Sequence, residues 1–365
     1  MPSDTLALPQ RLSHPALAAA NILGIAMLSG CASSPDHSAD NYNAYQPYSV
    51  SAREYGYVRP AVDIHVAGEN TRLGYRGRNS NDLWDRVRYG PRLGISEHPR
   101  VDSALRSLQR NPGYLNDLAT RARPYLHVIV AELERAHMPT ELALLPEVES
   151  RYNPRAVSPK SASGMWQFMP YTGQEVGLRQ DAWYDGRNDI LASTRGAIAY
   201  LKELRNEFGG DWALALASYN AGPARVHAAQ RANQARGLPT DFWSLNLPAE
   251  TKQYVPKLLA VSSLVREPER YGMRMPPIAN RPALELVEAR SQIDLASAAS
   301  ACGVSIQTLR GLNPGLKRGM TPSTGPHRIL VPIGTGTKLR TALARSGKLP
   351  AARVAGRSRS LLDEG

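Results

Sequence analysis

The chain has 365 residues, a length that fits one large domain or two smaller ones, and its 42% hydrophobic content is enough for a folded core. The net charge of +12 indicates an anionic partner but does not choose among nucleic acid, a membrane surface and a cell wall. The eight histidines are scattered without a His-x-x-x-His spacing, which argues against a zinc amidase or peptidase. Phosphate-binding glycine loops and nucleic-acid motifs are also absent from the sequence, so we predict no metal, no cofactor and no nucleic-acid partner.

The N-terminal segment has the pattern of a secretory signal. Arg11 precedes a largely apolar run over residues 15–28, which is too short and too rich in Ala and Gly for a membrane-spanning helix of about 20 apolar residues. The order Leu28-Ser-Gly-Cys31 resembles the lipobox of bacterial lipoproteins, which implies cleavage before Cys31 and acylation of that cysteine. We therefore predict a signal peptide over residues 1–30 and a lipid anchor on Cys31; the alternative is an ordinary signal peptide with a chance cysteine.

The residues after Cys31 bear on location. Residue 32 is Ala rather than the Asp that, in the lipoprotein resemblance, retains a protein at the inner membrane. This implies a periplasmic protein anchored to the outer membrane, if the source is Gram-negative. Residues 31–80 are rich in Ser, Asn, Tyr, Gly and Arg and have no helical period, which predicts a flexible tether.

Residues 81–268 have the apolar spacing of three and four that predicts helices. Pro124 divides one such run, and Asp211 is a suitable N-cap for another. The predicted helices cover residues 114–133 with a break, 140–149 with a bend at Pro146, 190–208, 212–220 and 251–265. No alternating strand pattern of comparable length occurs there, so we predict a helical domain.

Glu149 is the main candidate for chemistry. It closes an apolar helical run and shares a face with Leu142 and Leu145, so burial and the negative end of the helix dipole both favour a raised pKa. Glu147 points elsewhere and is predicted to be a solvated surface residue. Residues 150–174 contain no Asp or Glu, so a second carboxylate does not follow closely in the sequence.

Four short motifs surround this acid: Glu149-Ser150, Gly164-Met165-Trp166-Gln167, Tyr219-Asn220 and Tyr254 within Glu250-Thr-Lys-Gln-Tyr254. Together, over about residues 84–265, they resemble the soluble-lytic-transglycosylase family, although Met165 and Trp166 depart from the usual pair in the second motif. The resemblance implies a lysozyme-like fold and cleavage of bacterial peptidoglycan glycan strands, which would be the partner of this protein.

The resemblance also implies residue roles. Glu149 would protonate the glycosidic oxygen between N-acetylmuramic acid (MurNAc) and N-acetylglucosamine (GlcNAc), then deprotonate the muramoyl C6 hydroxyl that closes onto C1. The expected supporting catalytic residues are Ser150, Tyr219 and Tyr254. The expected substrate-binding residues are Ser158, Gly164, Met165, Trp166, Gln167 and Asn220. The residues themselves leave alternatives open, because Ser150 and Ser158 can cap turns, and Trp166 and Tyr254 can be core residues.

The C-terminal third predicts a second, small unit. A Pro-rich stretch at 269–283 is predicted to be a linker, and residues 284–335 have a strand–helix–helix–strand pattern that resembles a LysM module. The Gly-Asp-Thr signature of that family is missing, which puts the glycan affinity of the module in doubt more than its fold. Residues 336–365 are predicted to be a basic disordered tail. The expected fold is thus mainly α, with a small α+β (βααβ) module.

Two other functions remain compatible with the sequence. A hydrolytic muramidase would use water where the family uses the C6 hydroxyl, and a non-catalytic peptidoglycan-binding lipoprotein would bind the wall without cleaving it. The presence of Glu149 favours an enzyme over the second of these.

Overall fold

The computed structural model describes residues 77–348 apart from residues 78 and 96. The predicted signal peptide, Cys31, nearly all of the predicted tether and residues 349–365 lie outside that range. Within it, the fold is mainly helical with one two-stranded sheet, as the sequence predicted. None of the described helices combines the length and apolarity that crossing a membrane requires.

Ten α-helices of the described chain precede the sheet: α1 Trp84–Arg88, α2 Pro99–Gln109, α3 Tyr114–Ala122, α4 Leu126–Arg135, α5 Leu145–Ser150, α6 Pro170–Glu175, α7 Ile190–Glu207, α8 Trp212–Ala221, α9 Pro223–Gln234 and α10 Ala249–Arg266. The predicted break at Pro124 separates α3 from α4, and the Asp211 carboxylate caps α8 by accepting from the Ala213 and Leu214 amides. Both local predictions are confirmed.

The helix that carries Glu149 is shorter than predicted. Residues Thr140–Leu144 form a 3-10 turn, and α5, which we call the acid helix, begins at Leu145. Pro146 therefore lies in the first helical turn, where its missing N–H breaks no hydrogen bond, so it starts the helix instead of bending it. The acid helix ends because Arg151 and Tyr152 both adopt left-handed backbone angles, with φ of 54° and 57°.

The acid helix is held on a large core. Leu142, Leu144 and Leu145 have no exposed surface, and α10 packs against α2, α8 and the acid helix. Helix α10 continues through Pro256, and Tyr254 on this helix is only 6% exposed. Burial of such side chains stabilises the fold by roughly 1.5–3 kcal/mol each.

The predicted linker at 269–283 packs on the helical domain that precedes it. Met275 and Ile278 are buried in its core, the Leu83 amide donates to the Ile278 carbonyl at 2.7 Å, and the Trp84 indole donates to the Pro276 carbonyl at 3.1 Å. The stretch that was predicted to be a linker is therefore part of the packed structure. Its prolines obscured this packing in the sequence, and its apolar residues close the domain around α1.

The C-terminal module contains strand β1 Leu284–Glu288, helices α11 Leu295–Cys302 and α12 Ile306–Leu312, strand β2 Arg328–Pro332 and helix α13 Gly336–Arg345. The two strands are antiparallel, with Leu286 opposite Leu330. Cys302 is a free cysteine that is buried in the core of the module. The βααβ order is therefore confirmed.

The last helix corrects the prediction of a disordered tail that starts at residue 336. Leu339 and Leu343 are buried in the module core, because a spacing of four places them on the same helix face. Lys338 and Arg340 are exposed, and their charges obscured this apolar stripe in the sequence. The module thus extends to at least residue 345.

Candidate active site

Glu149 lies in the last turn of the acid helix, half-buried, and the Tyr254 hydroxyl donates a hydrogen bond to its Oε1. The two residues are 105 positions apart, and α10 brings them together. Burial raises the pKa of Glu149 to about 7, and the Glu250 carboxylate adds to that shift, whereas the Tyr254 hydrogen bond and the Lys257 charge oppose it. The carboxyl can therefore give and take a proton near neutral pH.

Glu250 is a neighbour that the sequence reading passed over. Its Oε1 accepts from the Asn220 amide at 3.4 Å, and its charge acts on Glu149. The signal was its spacing from Tyr254, since residues four apart on a helix share a face. Lys257, three residues beyond Tyr254, follows from the same rule. Helix α10 thus supplies one hydroxyl, one anion and one cation around Glu149.

The prediction that Glu147 is a solvated surface residue is wrong. It is 3% exposed and forms a 2.7 Å ion pair with Arg121. Burial raises the pKa of Glu147, although the Arg121 guanidinium acts in the opposite direction. Side chains two positions apart on a helix point in directions that differ by roughly 200°. The helix therefore directs Glu147 toward α3 and Glu149 toward α10.

The segment Gly164–Gln167, which we call the glycine turn, is fixed beside the acid helix by two hydroxyls. The Ser150 hydroxyl donates to the Met165 carbonyl at 2.8 Å, and the Tyr219 hydroxyl donates to the Trp166 carbonyl at 2.9 Å. Burial, together with the Glu149 charge, raises the pKa of Tyr219 well above its usual value, so the hydroxyl stays a donor. Ser150 and Tyr219 therefore position backbone groups of the turn.

Met165 and Trp166 do not present side chains for a sugar. Both have no exposed surface, and the Trp166 indole donates to the Thr194 hydroxyl at 3.1 Å. This corrects the expectation that they contact substrate, because a side chain within the core cannot stack on a pyranose in this conformation. Trp166 was expected either to contact substrate or to be a core residue, and the structure supports the second alternative.

The packing of the protein itself requires a glycine at position 164. Its φ is +84°, and a Cβ there would lie 1.9 Å from the Arg187 carbonyl oxygen. The close approach that glycine permits is thus to the backbone of residue 187. Any side chain at this position would displace the turn.

Gln167 and Ser158 also make contacts within the protein. The Gln167 amide nitrogen donates to the Gly164 carbonyl at 2.8 Å and to the Ala156 carbonyl at 3.3 Å, and its φ of 49° is unusual for a residue with a side chain. The Ser158 hydroxyl accepts from the Ala162 amide at 3.0 Å, which is the turn-capping alternative. Neither contact uses the Gln167 carbonyl oxygen or the Ser158 hydroxyl proton, so both remain able to bind a ligand.

Asn220 lies at the end of α8 and points to α10. The Thr251 hydroxyl donates to its carbonyl oxygen at 2.7 Å, and its amide nitrogen reaches Glu250. Asn220 is therefore bonded to Glu250, whose charge raises the pKa of Glu149. In the described part of the chain, no group of three or more His, Cys, Asp or Glu side chains is arranged to hold a metal ion.

Two family models match this chain. Residues 127–240 match the transglycosylase SLT domain, and residues 283–348 match the LysM-like domain of lytic transglycosylase MltD. The first match contains Glu149 and the glycine turn, and the second covers the C-terminal module with α13.

Individual proteins are also similar. Membrane-bound lytic murein transglycosylase D of Escherichia coli (strain K12) is 42% identical over 270 residues, which are 74% of this chain and 60% of that protein. A protein named for tributyltin chloride resistance in Alteromonas sp. (strain M-1) is 36% identical over 170 residues, 46% of this chain and 80% of that one. The solved structure of lytic transglycosylase Slt from Pseudomonas aeruginosa gives a TM-score of 0.34 at 21% identity, over 57% of this chain and 33% of that one.

Proposed function

Because the chain belongs to the transglycosylase SLT family, we propose that it is a peptidoglycan lytic transglycosylase that cleaves the MurNAc–GlcNAc β-1,4 bond without water. The chain spans about 60% of the length of the Escherichia coli relative, so the proposal concerns the catalytic domain and module described above. The relative is named membrane-bound, which is consistent with a membrane-associated enzyme here.

The observation that carries this proposal is the environment of Glu149. Its pKa of about 7 means that the acid and its conjugate base are both populated near neutral pH. As the acid, Glu149 donates its proton to the glycosidic oxygen, the C1–O4 bond breaks, and the GlcNAc hydroxyl leaves. A carboxyl with its ordinary pKa would be almost fully ionised at that pH and would seldom supply the proton.

The second step regenerates the acid. The Glu149 carboxylate takes the proton of the muramoyl C6 hydroxyl, whose oxygen bonds to C1 and closes a 1,6-anhydro ring. The attacking oxygen belongs to the same sugar, so proximity replaces the capture of a water molecule. Atoms balance without water, since one glycosidic bond is lost and one intramolecular ether bond forms. Tyr254, which binds the carboxyl, keeps it oriented through both proton transfers.

One observation favours a second candidate, a muramidase that uses water. Glu250 acts electrostatically on Glu149 and could serve as the second carboxylate that hydrolytic glycosidases use. Digestion of purified sacculi, followed by mass analysis of the sugar ends, separates the two reactions. We expect anhydromuramoyl ends; reducing muramoyl ends would establish the muramidase instead.

The variant Glu250→Gln tests the same choice independently. A general base for water cannot be replaced by an amide, so a muramidase would lose nearly all turnover. For a transglycosylase we expect turnover within about tenfold of the wild type. The high-pH limit of activity should also move to lower pH, because removal of the Glu250 charge lowers the pKa of Glu149.

We further propose that the enzyme is held at a membrane by acylation of Cys31, facing the periplasm from the outer membrane of a Gram-negative bacterium. Cys31 lies outside the described residues, so the support comes from the Leu28-Ser-Gly-Cys31 order and from the name of the relative. Each acyl-chain methylene that is buried in a membrane contributes about 0.8 kcal/mol to the free energy of binding, so several acyl chains together anchor a protein stably. Acyl labelling of the wild type and of Cys31→Ala tests this, because label retained by the variant would disprove the site.

A further inference from the structure

The C-terminal module is bonded to the catalytic domain at residues 179–189, which we call the saddle segment. The Asp185 amide donates to the Gly315 carbonyl at 2.9 Å, and the Lys317 amide donates to the Trp183 carbonyl at 2.9 Å. These are backbone contacts between the two units, of the kind that joins strands. They fix the loop between α12 and β2 against the catalytic domain.

Charges and apolar side chains reinforce the same contact. The Arg318 guanidinium lies 4.7 Å above the Trp183 ring, and Arg328 lies 3.6 Å from the Asp189 carboxylate. Four leucines of the module pack against the catalytic core: Leu284, Leu286, Leu312 and Leu330. The module is therefore seated by hydrogen bonds, ion pairing and apolar burial together.

The saddle segment also forms the support of the glycine turn. The Arg187 carbonyl is the group against which Gly164 packs. The Arg187 guanidinium donates to the Ser161 carbonyl at 2.8 Å and to the Phe168 carbonyl at 3.2 Å, on the two sides of the turn. Asn188 holds the Pro154 carbonyl at 2.9 Å. A shift of the saddle segment would thus be transmitted to the glycine turn.

A second connection passes through α7. Asp189 caps this helix by accepting from the Ala192 amide at 2.8 Å, and its other oxygen accepts from the Tyr184 hydroxyl at 2.8 Å. Thr194, one turn into the helix, accepts the Trp166 indole hydrogen bond. The carboxylate that meets Arg328 of the module therefore also starts the helix that holds the turn.

We propose that the C-terminal module is a positioning element of the active site, which holds the saddle segment and through it the glycine turn beside Glu149. The module contacts the catalytic domain through the loop between α12 and β2. Its effect on the glycine turn therefore needs no glycan bound to the module, and we expect it also with a substrate too short to reach the module. This inference rests on the proposed function only for its kinetic readout. The contrasting views are a module that only tethers long glycan strands and a module that only adds stability.

The test is a steric wedge at Gly315. A Cβ at this glycine would lie 2.9 Å from the Asp185 carbonyl oxygen and 3.2 Å from the Asp189 nitrogen, both in the saddle segment. Gly315→Leu therefore separates the module from the saddle segment. Gly311→Leu is the matched control, because a Cβ at Gly311, four residues earlier on the same module, meets nothing within 4 Å.

Two measurements are made on the full-length protein, with the melting temperature of each variant. Hydrogen exchange follows the Ser163 and Phe168 amides, which bond to each other's carbonyls across the turn. Turnover is measured on a soluble glycan of two disaccharide repeats, well below the melting temperature. For Gly315→Leu we expect faster exchange at both amides and a loss of kcat on the order of tenfold, with KM changed less; Gly311→Leu should match the wild type within about twofold.

Unchanged exchange at Ser163 and Phe168 in folded Gly315→Leu would overturn the proposal, whatever the enzyme does to glycans. Unchanged kcat on the short glycan with reduced activity on sacculi would also overturn it, in favour of a tether. If a lowered melting temperature were the sole effect, the module would only stabilise the fold, and the proposal that it positions the active site would be wrong. If Gly315→Leu does not fold, the double variant Lys317→Ala with Arg318→Ala takes its place, since both side chains are exposed. A wild type that cleaves neither the short glycan nor sacculi contradicts the proposed function, while the exchange measurement still decides this inference.

Discussion

The two faces of the acid helix carry identical chemical groups in opposite surroundings. Glu147 is buried against the Arg121 guanidinium at 2.7 Å. Glu149 is half-buried, bonded to the Tyr254 hydroxyl and exposed to the field of Glu250. Both pKa values are raised by burial, but only Glu147 has a cation in direct contact.

The difference shows how one six-residue helix separates stability from chemistry. The ion pair with Arg121 opposes the rise in the pKa of Glu147 that burial causes, and it ties this carboxylate to a partner within the protein. A neutral hydroxyl binds Glu149 in either protonation state, so its proton can be exchanged with a substrate. Burial alone therefore does not identify a catalytic acid, and the partner of the carboxyl decides.

The largest effect is expected at Glu149. The variant Glu149→Gln keeps the size of the side chain and can still accept from Tyr254, but its amide has no acidic proton to transfer to a leaving group. We expect turnover of sacculi to fall by at least about 100-fold while sedimentation with sacculi is retained. Glu147→Gln, measured alongside, should keep turnover per folded molecule within about threefold. The reverse outcome would show that the two faces have been assigned to the wrong roles.

The next effect concerns stability at the other face. Glu147→Gln leaves the Arg121 charge without a counter-ion at a site where Glu147 is 3% exposed, so we expect a loss of about 3 kcal/mol in the free energy of unfolding. Glu267→Gln is the matched control, because it breaks an exposed pair with Arg270. That control should cost less than about 1 kcal/mol in the same urea titration. Equal losses would mean that burial of the pair is unimportant.

A smaller effect links the stability of the fold to the pKa of Glu149. Its folded-state pKa of about 7 exceeds the ordinary value of 4.5, so its contribution to stability is complete below pH 4.5 and is lost as pH rises through 7. Glu149→Gln lacks this loss. The variant should therefore gain about 2 kcal/mol on the wild type between pH 5 and pH 8 in parallel urea titrations. A constant difference over this range would contradict a raised pKa.

The smallest effect is expected at Tyr254. Its hydrogen bond lowers the pKa of Glu149, so Tyr254→Phe should raise that pKa and move the high-pH limit of activity upward by less than about one pH unit. The loss of orientation should reduce kcat by about tenfold or less. Tyr171→Phe, at an exposed tyrosine, is the control for the same change of chemistry. A limit that moves downward would show that Tyr254 does not bind the ionised carboxyl.

Local spacing alone identified the helices and placed Glu149 on an apolar helix face. The role of Tyr254 beside it was implied by the family resemblance, and the structure brings the two residues into contact across 105 positions of sequence. Arg121 was not recognised as the partner of Glu147, because the two are 26 residues apart and no local pattern joins them. Trp166 shows a second limit, since an aromatic residue suits a core and a sugar site equally well, and only the position of α7 decides. The site roles that the family implies for Ser158, Gln167 and Asn220 stay predictions.

Residues 275–280 complete the catalytic domain, and this affects when the domain can fold during synthesis. The Trp84 indole bonds to the Pro276 carbonyl, 192 residues further along the chain. At a synthesis rate of about 5–20 residues per second, α1 is made roughly 10–40 seconds before its partner exists. During that interval α1 lacks this part of the surface on which it packs, so we expect the domain to complete its fold only when residues 275–280 have been synthesised. A nascent chain stopped before residue 275 should consequently remain sensitive to protease.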